Sequence, residues 1–289
     1  MDPEKSKIYI TKADGTKEPF DRNKLIGSLT NSGGSPEIIE RIVKHVEDEV
    51  RSLEERGKKE PTSADIYHHA FELLRKDSLP AATRYSLRKA LIELGPNGFP
   101  FERFVADIFK VWKYETLTDQ VVHGHCVDHE VDVVAWNPEK LVMVEAKFHN
   151  EFGLKSDIKV ALYVKARMDD IRAAGATFDY GGKPRAMDEG WLVTNTKFTD
   201  QAIKYGECAG LTMVGWNYPR HNNLHDLIEQ ARLHPFTCLA TLSNVHKKNL
   251  LTAGVLLCRE ITPKVLKQAG LEDEKIDTVM AEVDQVCGA

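Results

Sequence analysis

Asp132, Glu145 and Lys147 interrupt two apolar runs, His129–Trp136 and Leu141–Lys147, that otherwise read as buried strands. Charge in such a place is costly unless it is paired or coordinates a metal. The intervening Asn137-Pro138-Glu139-Lys140 is rich in turn formers, so the two runs are predicted to form an antiparallel hairpin. Facing Trp136 with Leu141 pairs Val133 with Val144, Asp132 with Glu145, and Glu130 with Lys147. Strand side chains alternate, so Asp132, Glu145 and Lys147 fall on one face of the hairpin. Directly opposed Cβ atoms lie roughly 5 Å apart, and like charges there repel. A divalent cation between the carboxylates turns that repulsion into a binding site, and two carboxylates plus water and phosphate oxygens is a set that Mg²⁺ accepts. Lys147 is near enough to hold a phosphate or polarise a water. On spacing alone, a cross-strand salt bridge from Lys147 to either acid explains the three residues equally well.

The elements on either side must hold this hairpin in place. Phe101, Phe104, Val105, Ile108, Phe109 and Trp112 recur at helical spacing and are expected to be core. Glu102 sits beside that stripe and could reach the edge of the site, or serve only as a first-turn acid favoured by the helix dipole. A second helix is expected over residues 155–171, with Lys159, Tyr163 and Arg167 on one polar stripe. Residues 177–189 read as loop, 191–194 and 211–216 as strands, and 199–209 as a helix between them. The order helix, hairpin, helix, strand, helix, strand suits an α/β sheet. His123, His125, Cys126 and His129 lie in an extended segment whose spacing is poor for a closed zinc site. His129 or Glu130 could instead line a substrate cleft.

Asp132, twelve residues, then Glu145-Ala146-Lys147 resembles the D…ExK core of the PD-(D/E)xK nuclease superfamily. Phe101–Phe109 is similar to the helix that precedes this core in Mrr-like restriction endonucleases. Gly190–Thr199, followed by Gln201-Ala202, is similar to their later strand with its Thr and "FT…A" signature. The resemblance implies a restriction-endonuclease-type nuclease with Asp132 and Glu145 as Mg²⁺ or Mn²⁺ ligands and the Ala146 carbonyl as a further ligand. It implies Lys147 as the residue that orients the nucleophile, with Glu102 and Lys159 as further candidates. Where many Mrr-like enzymes carry Gln-x-x-x-Tyr, this chain has Lys159-x-x-x-Tyr163, a departure at the first position.

Residues 1–95 have a different design. Lys7–Lys12 alternates like a strand, Ala13-Asp14-Gly15-Thr16 reads as a hairpin turn, and Asp21 is placed to cap a short helix. Ser35-Pro36 opens a second helix with Ile39, Ile42, Val43, Val46, Val50 and Leu53 on one face, and residues 56–61 break it. Thr62 with Asp65 reads as a capping box opening a third helix, and Pro80 precedes a fourth. Ile10–Gly15, Glu18–Lys24, Thr62–Ile66 and Arg84-Tyr85 together resemble the ATP-cone domain, the allosteric nucleotide module of ribonucleotide reductases. That resemblance implies ATP or dATP as an allosteric ligand. Lys12 and Lys24 would contact phosphates, Glu18 and Asp21 would fix the nucleotide, and Thr62 would touch it. Arg88 and Lys89 are further phosphate candidates. Ala13 stands where many cones carry Arg. No Walker A sequence is present, so motif spacing alone would not suggest ATP, and no catalytic base or Mg²⁺-binding carboxylate pair stands out in this segment, so binding without hydrolysis is expected.

Residues 220–289 are expected to be helical. Ala253-Gly254-Val255 and Ala269-Gly270-Leu271 resemble the turns of helix-hairpin-helix modules, whose amides hold DNA phosphates. Residues 220–268 carry seven Lys and Arg against three acids, plus four histidines. That makes this segment the best phosphate-facing surface in a chain whose net charge is −5, which otherwise argues against an indiscriminate polyanion binder. The five cysteines form no CxxC motif and suit reduced thiols in a cytoplasm. No apolar run approaches the length of a membrane span.

The expected fold class is an α+β and α/β multidomain chain. A small helical ATP-cone bundle with a β-hairpin cap occupies 1–95, a nuclease core 96–219, and a helical C-terminal region 220–289. The expected function is a nucleotide-regulated, Mg²⁺-dependent endonuclease acting on DNA, with RNA left open, and a homo-oligomer controlled by nucleotide. The competing reading is a catalytically idle ATP- or dATP-sensing DNA-binding adaptor or regulator.

Overall fold

The computed structural model describes residues 9–12, 15–55, 60–95, 98–151, 153–175 and 177–287. Ala13 and Asp14 of the expected hairpin turn, the helix breaker at 56–59 and the junction residues 96–97 lie outside them. The chain divides into two compact units, one of residues 1–87 with 281–289, the other of residues 88–280.

The first unit begins with a hairpin, β1 (Tyr9–Thr11) against β2 (Lys17–Pro19), in which Ile10 pairs with Glu18. Gly15 at φ +80° supplies the left-handed backbone that closes it. Four helices follow: α1 (Arg22–Asn31), α2 (Pro36–Glu55), α3 (Ser63–Asp77) and α4 (Leu79–Ile92), of which the part from Arg88 onward is assigned to the second unit. Asp21 caps α1 by accepting from the Asn23 and Lys24 amides. Thr62 and Asp65 form a reciprocal capping box on α3. Leu25 and Leu29 of α1, Ile42, Val43, Val46 and Val50 of α2, and Ile66, Ala70 and Leu74 of α3 form one buried cluster. The apolar stripe of each helix faces inward, as its spacing requires.

In the second unit α5 (Phe99–Val111) is followed by β3 (Glu115–His123), β4 (Asp128–Trp136) and β5 (Leu141–Lys147). Then come β6 (Lys155–Ser156), α6 (Ile158–Ala173), the two-residue strands β7 (Phe178–Asp179) and β8 (Pro184–Arg185), and β9 (Glu189–Thr194). β10 (Lys197–Phe198), α7 (Asp200–Ala209) and β11 (Thr212–Val214) complete this part. The central sheet has the order β11-β9-β5-β4-β3, antiparallel from β3 to β5 and parallel from β5 to β11. One face carries Val134, Trp136, Leu141, Met143 and Leu192, which cluster with Ala161, Val164 and Met168 of α6 and Ala202 of α7. α5 packs against β3, β4 and β5 and supplies the buried Phe101, Phe104 and Phe109. A Cβ on Gly206 of α7 would lie 1.9 Å from Met213 Sδ, so only glycine lets α7 approach β11 this closely.

The C-terminal helices are α8 (Leu224–Ala231), α9 (Asn244–Thr252), α10 (Pro263–Gln268) and α11 (Asp273–Cys287). Gly254 (φ +80°) and Gly270 (φ +88°) follow α9 and α10 in the left-handed conformation. Each turn closes with a pair of amide bonds back into its helix, from Gly254 to Leu251 and Val255 to Leu250, and from Gly270 to Lys267 and Leu271 to Leu266. This is an α+β multidomain chain. Among the described residues no helix is long and apolar enough to cross a membrane.

Four expectations need correction. β3 was not anticipated: as an edge strand with one half-buried face it carries almost no apolar alternation. Residues 177–189 hold the short β7–β8 hairpin. Trp112 lies past the end of α5 and is 36% exposed, where it touches the rings of Phe109 and Trp191. Cys126, Cys208 and Cys238 form no disulfide, but Cys258 and Cys287 are disulfide-bonded, and neither belongs to a spacing motif that signals it.

Candidate active site

The β4–β5 register is the expected one from Trp136↔Leu141 to Val133↔Val144. The ladder ends there, one pair short of the acids. Instead of a main-chain pairing, the Asp132 side chain takes over: its Oδ2 accepts from the Ala146 amide at 2.7 Å. β5 continues past this point by pairing with β9, Glu145 opposite Leu192 and Lys147 opposite Thr194. The strands therefore separate where Asp132, Glu145 and Lys147 lie, on the sheet face that α6 covers.

Arg167 of α6 reaches this face and donates to Glu145 Oε2 through Nη1. Its Nη2 donates to the Tyr163 hydroxyl, and its guanidinium stands 4.7 Å from the Tyr163 ring centre. Both members of the Arg167–Glu145 pair are largely buried, 12% and 15% exposed. One oxygen of each acid is thus engaged. Asp132 Oδ1 and Glu145 Oε1 have no hydrogen-bond partner among the described residues. Lys147 makes no ion pair among them either, so its ammonium is free for a ligand.

The local field is strongly negative. Burial, then the neighbouring Asp132, pushes the Glu145 carboxyl up to about 7, against the opposing pull of Arg167 and Lys147. Asp132 is also raised, chiefly by burial, though the Ala146 amide and Arg167 pull the other way. Glu102, in the first turn of α5, is raised to about 7 by burial and then by Asp132 and Asp119.

Asp119 went unnoticed in the sequence. The β3–β4 register runs Thr118↔Val133 and Gln120↔Val131, which sets Asp119 directly opposite Asp132. That one pair is missing from the ladder because Asp119 adopts φ +54°. A non-glycine residue in the left-handed region is uncommon, and Asp is among the few that tolerate it. The distortion turns its carboxylate toward Glu102, with which it shares a hydrogen bond.

The end of β9 secures the other side. Ser156, Thr194, Asn195 and Thr196 are buried completely. Ser156 Oγ donates to Thr194 Oγ1 at 3.1 Å, His149 Nε2 lies 3.0 Å from Ser156 Oγ, and Thr194 and Thr196 hydroxyls meet at 3.2 Å. Asn195 clasps the His149 backbone, accepting from its amide at 2.9 Å and donating to its carbonyl at 2.8 Å. The strand after Lys147 is thereby fixed to the sheet. In the "FT…A" segment, Thr199 caps α7 through the amide of buried Ala202.

Lys159 is exposed in the first turn of α6, and no hydrogen bond or ion pair of its side chain among the described residues ties it to the acids. Glu130 is exposed and adds to the negative field on Asp132 and Glu145. His129 is held by Asp170 at 2.8 Å, and that bond above all keeps the Asp170 carboxyl down at about 2.

In the first unit Lys12, Glu18 and Lys24 converge. Lys12 Nζ is 2.6 Å from Glu18 and Lys24 Nζ is 3.6 Å from the same oxygen, with Asp21 4.0 Å from Lys24. The Lys12 contact holds the Glu18 carboxyl below its ordinary value. Thr62 joins the hairpin through a bridge to Thr11. Arg88 and Lys89 belong to the second unit, where burial lowers the Arg88 guanidinium and Lys89 lies 3.6 Å from Glu93.

The sequence models of three families match the chain: the ATP cone domain over residues 8–91, a restriction endonuclease domain over 96–216, and the AF1548-like C-terminal region over 234–287. An uncharacterized protein of Archaeoglobus fulgidus is 35% identical over 178 residues, which make up 61% of this chain and 95% of the relative. The crystal structure of AF1548, a protein of unknown function, is 32% identical, covers 66% of this chain and 99% of its own, and superposes with a TM-score of 0.52.

Proposed function

The chain belongs to the AF1548-like family and joins an ATP cone to a restriction-endonuclease domain, and from that premise we propose that it is a divalent-metal-dependent nuclease that cuts DNA under nucleotide control. The observation that carries this reading is the separation of β4 from β5 at the two acids. It leaves one oxygen each on Asp132 and Glu145 free among the described residues, on a half-buried face beside Lys147, which is unpaired among them.

The donor set suits Mg²⁺ or Mn²⁺: hard oxygens only, and a mutual repulsion that a cation relieves. Asp132 and Glu145 would hold the ion, with the Ala146 carbonyl as a third oxygen. When bound, the ion supplies an activated water and neutralises charge on the phosphate. The remaining work falls to side chains. The Asp132–Ala146 bond holds β4 to β5 beyond the end of their main-chain ladder. Lys147 orients the attacking water and offsets the charge that gathers on the phosphoryl oxygens. The water oxygen bonds to phosphorus as one ester P–O bond breaks, and the departing alkoxide takes up a proton. Arg167, which donates to Glu145 Oε2, would stand beside the ion as a second cation facing the phosphate. Glu102 and Asp119 extend the negative rim, and Lys159 waits at the start of α6 as an outer phosphate contact.

In the cone, the Lys12–Glu18–Lys24 cluster is the proposed polyphosphate site, with Asp21 and Thr62 beside it. The lysines would trade Glu18 for phosphate. ATP or dATP then acts by binding one state of the chain more tightly than another, including a different oligomeric state. The Arg167–Glu145 pair is the observation that favours the second reading, a nucleotide-sensing DNA-binding adaptor that does not cut.

The test is incubation of the purified chain with supercoiled plasmid and with circular single-stranded DNA, in Mg²⁺ or Mn²⁺, with and without ATP. Metal-dependent scission whose rate changes with ATP supports the proposal. DNA binding without scission under every condition supports the adaptor.

A further inference from the structure

His45 and Glu49 stand one turn apart on α2, and His69 faces them from α3. The three donor atoms lie within 4.8 Å of one another. His69 Nε2 is 2.8 Å from Glu49 Oε2. That nitrogen is buried, yet its contact with the carboxylate lacks hydrogen-bond geometry. A ring nitrogen and a carboxylate oxygen so close, outside hydrogen-bond geometry, are disposed as two ligands of one ion. The His45 ring lies parallel to that of His69, 5.0 Å between centroids and 5° between planes. Glu49 has no Lys or Arg partner among the described residues. A cavity of about 320 Å³ opens beside Glu49 and His69, with room for a further ligand.

We propose that His45, Glu49 and His69 form a binding site for a late first-row divalent cation, Zn²⁺ being the representative. Two imidazoles and one carboxylate are ligands that Zn²⁺, Co²⁺ and Ni²⁺ accept and that Mg²⁺ does not prefer. Three protein ligands leave a position open toward the cavity for water or a small anion. The site is separate in chemistry from the all-oxygen acids at Asp132 and Glu145. Its role is a staple. α2 and α3 already share the buried Val46, Val50, Ile66 and Ala70. The ion ties their exposed edges together, and α3 is the helix whose first turn Thr62 caps. Metal at this site therefore sets how firmly Thr62 is held beside the β1–β2 hairpin.

The full chain, stripped with chelator, is titrated with Zn²⁺ by calorimetry in excess Mg²⁺, which occupies the oxygen-only acids. Co²⁺ is followed in parallel by its visible absorption. The proposal expects one equivalent bound, a cobalt d–d band without a sulfur charge-transfer band, and affinity at least ~10-fold weaker in His69→Gln and Glu49→Gln. Circular dichroism establishes that each variant is folded. Because Glu49 is exposed, its variant keeps the test valid even where His69→Gln does not fold. Affinity unchanged in either folded variant, no cobalt spectrum with wild type, or a sulfur band removed by Cys126→Ser would overturn it.

Discussion

Arg167→Met should expose how much strain the proposed metal site stores. Arg167 is the side chain that donates to Glu145, and both are largely buried. Glu145 ionises at about 7 with that partner in place, against an ordinary 4.5. A carboxyl raised in the folded state is a carboxyl whose charged form the fold disfavours. Its contribution makes the protein less stable as pH rises from the unfolded value through the folded one. At about 1.4 kcal/mol per pH unit, the Glu145 share of the metal-free stability should fall by about 2 kcal/mol between pH 5.5 and pH 7, then level off. Met keeps much of the packing of the Arg stem but removes the cation. With the Arg167 attraction gone, the Glu145 carboxyl rises further, and each added unit costs about 1.4 kcal/mol at pH 8 and almost nothing at pH 5.5. The expected loss at pH 8 is about 1–3 kcal/mol, below the 3–5 kcal/mol typical of an orphaned buried charge because Glu145 can take up a proton. Urea titrations followed by tryptophan fluorescence suit the measurement, since Trp112, Trp136, Trp191 and Trp216 all lie in the second unit. Mg²⁺ should restore more stability to Arg167→Met than to wild type, because no guanidinium competes for Glu145. A loss of equal size at both pH values, or the same Mg²⁺ gain in both proteins, would refute the reasoning.

Three further outcomes are expected. Asp119→Asn keeps a residue that tolerates φ +54° but removes the charge beside Glu102, so the Glu102 carboxyl should fall from about 7 toward its ordinary value. Carbon-detected NMR titration of Glu102 reads this directly, and an unmoved midpoint would show that Asp119 is not its neighbour. Thr194→Val takes one hydrogen-bond partner each from the buried Ser156 and Thr196 hydroxyls, at a cost of about 1–3 kcal/mol; a change below about 0.5 kcal/mol in the same urea titration would mean that the network relaxes without it. Thr62→Ala removes the α3 capping box, at a cost of about 1 kcal/mol, and should weaken ATP binding in equilibrium dialysis; unchanged affinity would detach Thr62 from the nucleotide.

The apolar runs of β4 and β5 fixed their register down to Val133 and Val144, because one residue of slip would turn the whole apolar set to the wrong face. The helix starts at Asp21, Thr62 and Thr199 were equally readable, since a cap is a local hydrogen bond between near neighbours. What the sequence withheld is what depends on distant partners. Arg167 was visible as a member of a polar stripe, but nothing local says that α6 lies over Glu145. Asp119 sits on an edge strand whose half-exposed pattern gives no periodic signal, and its role depends on one reversed φ. His45, Glu49 and His69 flank apolar stripes on two helices and meet only once those helices pack. The glycines at 254 and 270 were legible as helix ends, whereas the disulfide-bonded state of Cys258 and Cys287 was not.

The central claim is that Asp132 and Glu145 form a metal-dependent centre for cutting DNA. The most direct measurement is the single-turnover scission rate of Glu145→Ala against wild type, on plasmid in Mg²⁺, with both proteins confirmed to be folded. The account predicts a wild-type rate that depends on metal and a variant slower by about three orders of magnitude. A variant that cuts at the wild-type rate would contradict it.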